Sequence, residues 1–120
     1  MSVPRFAPFV LALAVAVAPT ATWAAELLML ERAGCPYCAR FEKEVGRIYE
    51  RTDEARRAPL RRIDIEKPYP AEYRFVTPDR ITPTFVLVDG GREIARLRGY
   101  PGEDFFYGAL GTMLEKLPAK

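Results

Sequence analysis

Histidine is missing altogether from the 120 residues, and that absence excludes more chemistry than any other count. Without an imidazole there is no Ser-His-Asp or Cys-His triad, no histidine zinc site and no c-type haem attachment. Cysteine is nearly as scarce, Cys35 and Cys38 being the only two. One pair three residues apart does not staple a small exported fold, so the chain must rely on an ordinary core, for which 49% hydrophobic and 12% aromatic residues suffice. An excess of one charge is lacking too. The 18 Lys and Arg stand against 16 Asp and Glu, a net +2. Such a balance gives no field to hold nucleic acid or an anionic membrane by bulk attraction. No internal repeat is present, and the length is that of one domain.

What is present begins with a targeting pattern. Arg5 precedes an apolar run from Phe6 to Ala18 interrupted only by Pro8; Pro19 ends it, and Thr22-Trp23-Ala24 supplies small residues for cleavage. We read residues 1–24 as a secretory signal peptide, cut after Ala24, and 25–120 as the working domain. An uncleaved membrane anchor is the alternative. It needs about 20 apolar residues and reaches that length here only by crossing two prolines.

Along the domain, Leu27-Leu28-Met29-Leu30 reads as a strand buried on both faces. A helix is expected from about Cys38 to Thr52, with Phe41, Val45, Ile48 and Tyr49 on its inner face and Pro36 at its first position. Arg51–Pro59 reads as a charged loop and Leu60–Ile65 as a second strand, parallel to the first. The prolines of Glu66–Arg80 imply a loop with at most a short helix near Ala71–Val76. Thr84–Val88 is a third strand, Asp89-Gly90-Gly91 a hairpin turn, Arg92–Arg98 a polar edge strand and Glu103–Leu117 a closing helix. The expected fold is α/β: a βαβ unit, then ββα, forming a four-stranded mixed sheet with helices on both faces. Arg92, Arg96 and Arg98 read as a solvated edge, with docking of an acidic partner as the alternative. Phe105, Phe106 and Tyr107 read as core.

The chemistry concentrates at Gly34-Cys35-Pro36-Tyr37-Cys38. At a helix start, free backbone N–H groups and the helix dipole stabilise a thiolate on Cys35. A pKa drop from ~8.5 to ~7 raises the thiolate fraction at neutral pH from about 3% to about 50%. Intrinsic nucleophilicity falls nearly fivefold over that shift, so attack gains only about threefold; the larger benefit is a better leaving group. Cys38, one turn on and expected to be more buried, would resolve the mixed disulfide. A structural disulfide closing so short a loop would stabilise little. Zinc lacks enough ligands, whereas a two-coordinate Cu(I) carrier or a regulatory binding module remains open. Thr82-Pro83 at the entrance of a buried strand is either a simple strand-start breaker or a cis bond that turns Thr82 toward an extended substrate.

Together these residues resemble the thioredoxin superfamily. The resemblance covers nearly all of the domain: Leu27–Leu30, Cys35–Cys38, Thr82–Pro83, the Asp89–Gly91 hairpin and the last helix. It implies a thioredoxin fold, a thiol–disulfide oxidoreductase with nucleophilic Cys35 and resolving Cys38, and a substrate platform of Pro36, Tyr37, Thr82 and cis-Pro83. It implies no cofactor beyond the Cys35–Cys38 disulfide, a monomer, and a protein disulfide as substrate. Pro36-Tyr37 is the glutaredoxin dipeptide, and Met29 stands where thioredoxins proper carry a buried Asp, leaving Glu31 as a weak substitute proton acceptor. Gly34–Cys38, Thr82–Val88 and Arg98–Phe106 are further similar to the SoxS-type subfamily, small periplasmic thioredoxins of bacterial sulfur-oxidation gene clusters. That likeness implies a reductant of a sulfur-carrier protein supplied by a membrane thiol transporter. A periplasmic disulfide oxidant or isomerase is the runner-up.

Overall fold

Four consecutive apolar side chains at Leu27–Leu30 can all be buried only in a strand covered on both faces. The computed structural model, which describes residues 1–17 and 24–119, places them so: all four are fully buried in β1 (Glu26–Glu31). There follow α1 (Pro36–Phe41), α2 (Asp53–Arg57), β2 (Leu60–Asp64), β3 (Thr84–Asp89), β4 (Arg92–Arg98) and α3 (Glu103–Glu115). The sheet order is β2-β1-β3-β4, with β2 parallel to β1 and the other pairs antiparallel. β3 and β4 are joined through Gly90 and Gly91, both at positive φ (58° and 74°), the backbone a tight hairpin turn demands and glycine supplies without strain.

Alternation along β1 and β3 divides the core in two. Leu27, Met29, Phe85 and Leu87 face the helices, where both cysteines, Phe41, Val45, Tyr49, Phe106 and Leu110 meet them. Leu28, Leu30, Val86 and Val88 face the other way, with Ile63 of β2. That second face is not covered by a helix as expected. Tyr73 and Val76 close it, carried on a proline-rich stretch whose only helical turn is Ala71–Tyr73.

The first helix also departs from expectation. After α1 the chain makes a π-helical turn, Glu42–Gly46, in which Arg47 N–H reaches back to Glu42 C=O (3.2 Å), and then a 3-10 turn at Tyr49–Arg51. The wider turn shifts the phase of the helical face. Val45 and Tyr49 stay inside, but Ile48 is left 46% exposed. Gly46 makes room for this arrangement, since a Cβ there would overlap the Glu42 carboxylate that pairs with Arg62 of β2. The expected loop at Arg51–Pro59 contains α2. Thr52 Oγ1 accepts from Ala55 N–H (3.2 Å), Asp53 and Glu54 occupy the first turn, and Arg56 and Arg57 the last. Only Ala55 and Ala58 are buried there, too weak an apolar signal to announce a helix.

Residues 1–17 take no regular secondary structure, and Phe6, Phe9, Leu11 and Leu13 lie exposed. Ala18, Pro19, Thr22 and Trp23, which end the apolar run and begin the expected cleavage pattern, lie outside the described residues. Among the described residues no helix is long and apolar enough to cross a membrane.

Phe106 of α3 is the hub of the helical-side core. Its ring lies 4.8 Å from Phe85, 5.1 Å from Phe41 and 5.2 Å from Tyr107, all edge-on. Phe105, expected in the core, is 59% exposed. Phe106→Ala should therefore cost about 3–5 kcal/mol in chemical denaturation. Phe105→Ala should change stability by no more than about 0.5 kcal/mol.

Candidate active site

β1 ends at the edge of the core, and Gly34, at φ 76°, turns the chain into α1. Cys35 caps the helix. Pro36 has no N–H to lose at the first position, and the N–H of Cys38, one of the unpaired first-turn donors, points at Cys35 Sγ (3.1 Å). The two cysteines form a disulfide, their Cα atoms 5.2 Å apart. They are nearly equally buried, 6% and 5% exposed, so the expected greater burial of Cys38 is not what separates them. Access is. Cys35 lines an open groove of about 690 Å³, and Cys38 lies behind it against the core.

Three chain segments build that groove. Arg32, Cys35, Pro36 and Tyr37 come from the β1–α1 turn; Arg80, Ile81 and Thr82 from the approach to β3; Arg98–Pro101 from the end of β4. Of the predicted platform, Pro36 and Tyr37 are exposed and Thr82 half-buried at the wall. The Thr82–Pro83 bond is cis, and Pro83 is buried without lining the groove. Thr84 Oγ1 donates to Ile81 C=O (2.6 Å), bracing the second segment, and Gly99 N–H donates to Pro83 C=O (2.8 Å), tying the second and third segments together.

Two polar clusters hold the walls, and neither was anticipated from sequence. In one, Glu44 accepts from Arg40 Nε (2.6 Å) and Tyr100 Oη (2.8 Å), joining the helix after Cys38 to the Gly99–Pro101 wall. Those bonds hold the Glu44 carboxyl below its usual range, while burial and Glu44 push the Tyr100 phenol up, so Tyr100 stays a neutral donor. In the other, Asp79 takes two bonds from Arg98 (2.8 and 3.1 Å), one from Arg96 (3.3 Å) and one from Ile81 N–H (3.1 Å). Arg96 and Arg98 are thus neither a free docking face nor merely solvated; they fasten the loop that carries Arg80–Thr82. Their i, i+2 spacing on one strand face was the available signal, but their shared partner lies 17 and 19 residues away. Arg92 remains exposed.

Met29 is fully buried in the same cluster as both cysteines, so that position holds no carboxylate. Glu31 lies at the end of β1, among Glu42, Arg62 and Asp64; partial burial and Glu42 hold its carboxyl above the ordinary value against the pull of Arg62. No cluster of three His, Cys, Asp or Glu that could hold a metal ion occurs among the described residues, so a metal-carrying role would rest on the two sulfurs alone.

Chiefly the Arg98 hydrogen bonds hold the Asp79 carboxyl down to about 2. A folded-state value below the unfolded one (~3.9) stabilises the protein above pH ~4, and the contribution is lost as pH falls toward 2. Asp79→Asn should accordingly be less stable by about 1–2 kcal/mol at neutral pH, toward the low end because Arg98 is solvent-exposed. In denaturant titrations the gap should close between pH 4 and pH 2; a gap unchanged over that range would contradict the assignment.

A family model for a thioredoxin-like domain matches residues 16–114. Among solved structures, the reduced form of the periplasmic thioredoxin SoxS from Paracoccus pantotrophus is 44% identical, with 77% of this chain and 97% of that one covered and a TM-score of 0.73. Fasciola hepatica thioredoxin (16% identity, 77% and 83% covered, TM-score 0.53) and Malassezia sympodialis thioredoxin Mala s 13 (16%, 78% and 77%, 0.57) share the fold. Among curated protein sequences, none matches.

Proposed function

The chain belongs to the thioredoxin-like family and is a thiol–disulfide oxidoreductase, and on that premise we propose that it works outside the cytoplasm, reducing a disulfide or thiol adduct on a partner protein. The observation that carries this reading is the asymmetry of the two sulfurs: Cys35 opens on the groove and receives a main-chain N–H, while Cys38 lies behind it. In the reduced enzyme the Cys35 thiolate attacks one sulfur of the substrate disulfide. A mixed disulfide forms, and the other substrate sulfur leaves as a thiolate that takes up a proton. Cys38 then loses its proton and attacks Cys35 Sγ. The second substrate thiol departs, and the enzyme is left with the Cys35–Cys38 disulfide. Two electrons have passed to the substrate, and an external dithiol must return them.

In this proposal Pro36, Tyr37 and Thr82 form the platform that meets the substrate chain, and Pro83, buried without lining the groove, backs Thr82. Among the described residues the Thr82 backbone N–H and C=O take no internal hydrogen bond, which leaves them for strand-like pairing with an extended segment. Residues 1–24 act as a signal peptide and 25–120 as the domain; the exposed apolar residues between Phe6 and Val17 support this, as does likeness to a periplasmic protein. We further propose, as the subfamily resemblance implies, a sulfur-carrier protein as substrate and a membrane thiol transporter as donor, with the enzyme acting as a monomer and needing no cofactor.

Cys38→Ser should accumulate a mixed disulfide with substrate, visible as a reducible adduct by mass spectrometry, and Cys35→Ser should form none. Retention of disulfide reduction by Cys35→Ser would reverse the roles. Equilibration with glutathione tests the direction of electron flow. With no histidine between the cysteines to stabilise the thiolate further, the potential should fall well below the approximately −120 mV of strong periplasmic oxidants. A value near that figure would make the protein an oxidant.

A further inference from the structure

The groove beside Cys35 is far more basic than the protein that carries it. Its walls include three arginines, Arg32, Arg80 and Arg98, and no Asp or Glu, although the chain as a whole is only +2. Arg98 is balanced by its two bonds to Asp79. Arg32 and Arg80 enter no ion pair among the described residues. Both are exposed and stand on different walls, Arg32 three residues before Cys35 and Arg80 two before Thr82. Between them lie apolar seats, Tyr37 at 59% and Ile81 at 43% exposure. Two uncompensated guanidinium groups bracketing a nucleophilic sulfur repel a basic chain and attract carboxylates, acting mainly on encounter and register.

We propose that the Cys35 groove selects an acidic polypeptide segment, one whose disulfide cysteine has Asp or Glu close on both sides, with Arg32 and Arg80 as the residues that determine this specificity. The proposal rests on the reductase reading above and names the class of substrate it takes. An extended chain fits better than a small thiol, because the charges stand on separate walls of an open groove and the Thr82 backbone offers strand pairing.

The test uses disulfide-linked reporter peptides identical except for Asp/Glu, Ser/Gln or Lys flanks, each rate normalised to reduction of the same peptide by dithiothreitol. At low ionic strength wild-type kcat/KM should rank acidic above neutral above basic, with about a fivefold ratio of acidic to neutral, the worth of two exposed ion pairs. The ratio should shrink as salt shortens the screening length from ~30 Å to ~8 Å. Arg32→Gln/Arg80→Gln should bring it near one, and Arg32→Glu/Arg80→Glu should invert it. Because the readout is a ratio, any loss of activity common to all peptides cancels. Equal rates for the three peptides, a ratio that both variants preserve, or faster turnover of anionic oxidised glutathione than of the acidic peptide would each overturn the proposal. Failure of the wild type to reduce any of the peptides would instead overturn the reductase reading.

Discussion

Phe41 is wedged between Phe85 of the sheet, Phe106 of α3 and Tyr100 of the groove wall, with ring centroids 4.8, 5.1 and 5.4 Å away. It lies on α1, three residues after Cys38. Because the helix is anchored there, its first turn has a fixed place over the end of β1. The Cys38 N–H then has one direction to point, toward Cys35 Sγ. Burying such a side chain stabilises by about 1.5–3 kcal/mol, and each edge-on pair adds about 0.5–1.5 kcal/mol. An exposed ion pair contributes about 0–1 kcal/mol. The aromatic knot therefore sets the position of the redox turn, and the charged groups adjust what surrounds it.

Those adjustments matter because the groove is made by three segments far apart in the chain. Two of them are braced by polar contacts at their margins: Tyr100 by Glu44, and the Arg80–Thr82 approach by Asp79 with Arg98 and Arg96 and by Thr84 with Ile81 C=O. The weaker interactions thus shape the walls, while the core holds the nucleophile. Arg32 and Arg80, exposed and in no ion pair among the described residues, can be exchanged at little cost to the fold, whereas Asp79 and its arginines contribute to both wall and stability.

Much of this was legible in one dimension. Leu27–Leu30, Thr84–Val88, the Gly90-Gly91 turn and the closing helix follow from local apolar period and turn chemistry, and each was read within a residue or two. Phe106 and Phe105 show the limit of that reading, being adjacent and alike in composition, one wholly buried and the other mostly exposed. The π-helical turn at Glu42–Gly46 was invisible because the i, i+4, i+8 spacing of Phe41, Val45 and Tyr49 fits a plain helix, and only Ile48 reveals the shift. α2 was hidden by its charges, since a helix held by a Thr52 cap and two small buried alanines has almost no apolar signature.

The cysteine spacing, the proline before β3 and the missing histidine determined by themselves that any chemistry here is sulfur chemistry at a helix start. Those are local facts: a cap, a turn and an absent residue type act within a few positions of the chain. The tertiary structure alone decided which sulfur meets the groove, and that Arg96 and Arg98 pair with Asp79 while Arg32 and Arg80 have no ion pair among the described residues. Pairing between groups 17 or 19 residues apart, and access to a sulfur behind a folded wall, depend on how the sheet and its loops pack. No local pattern carries that information.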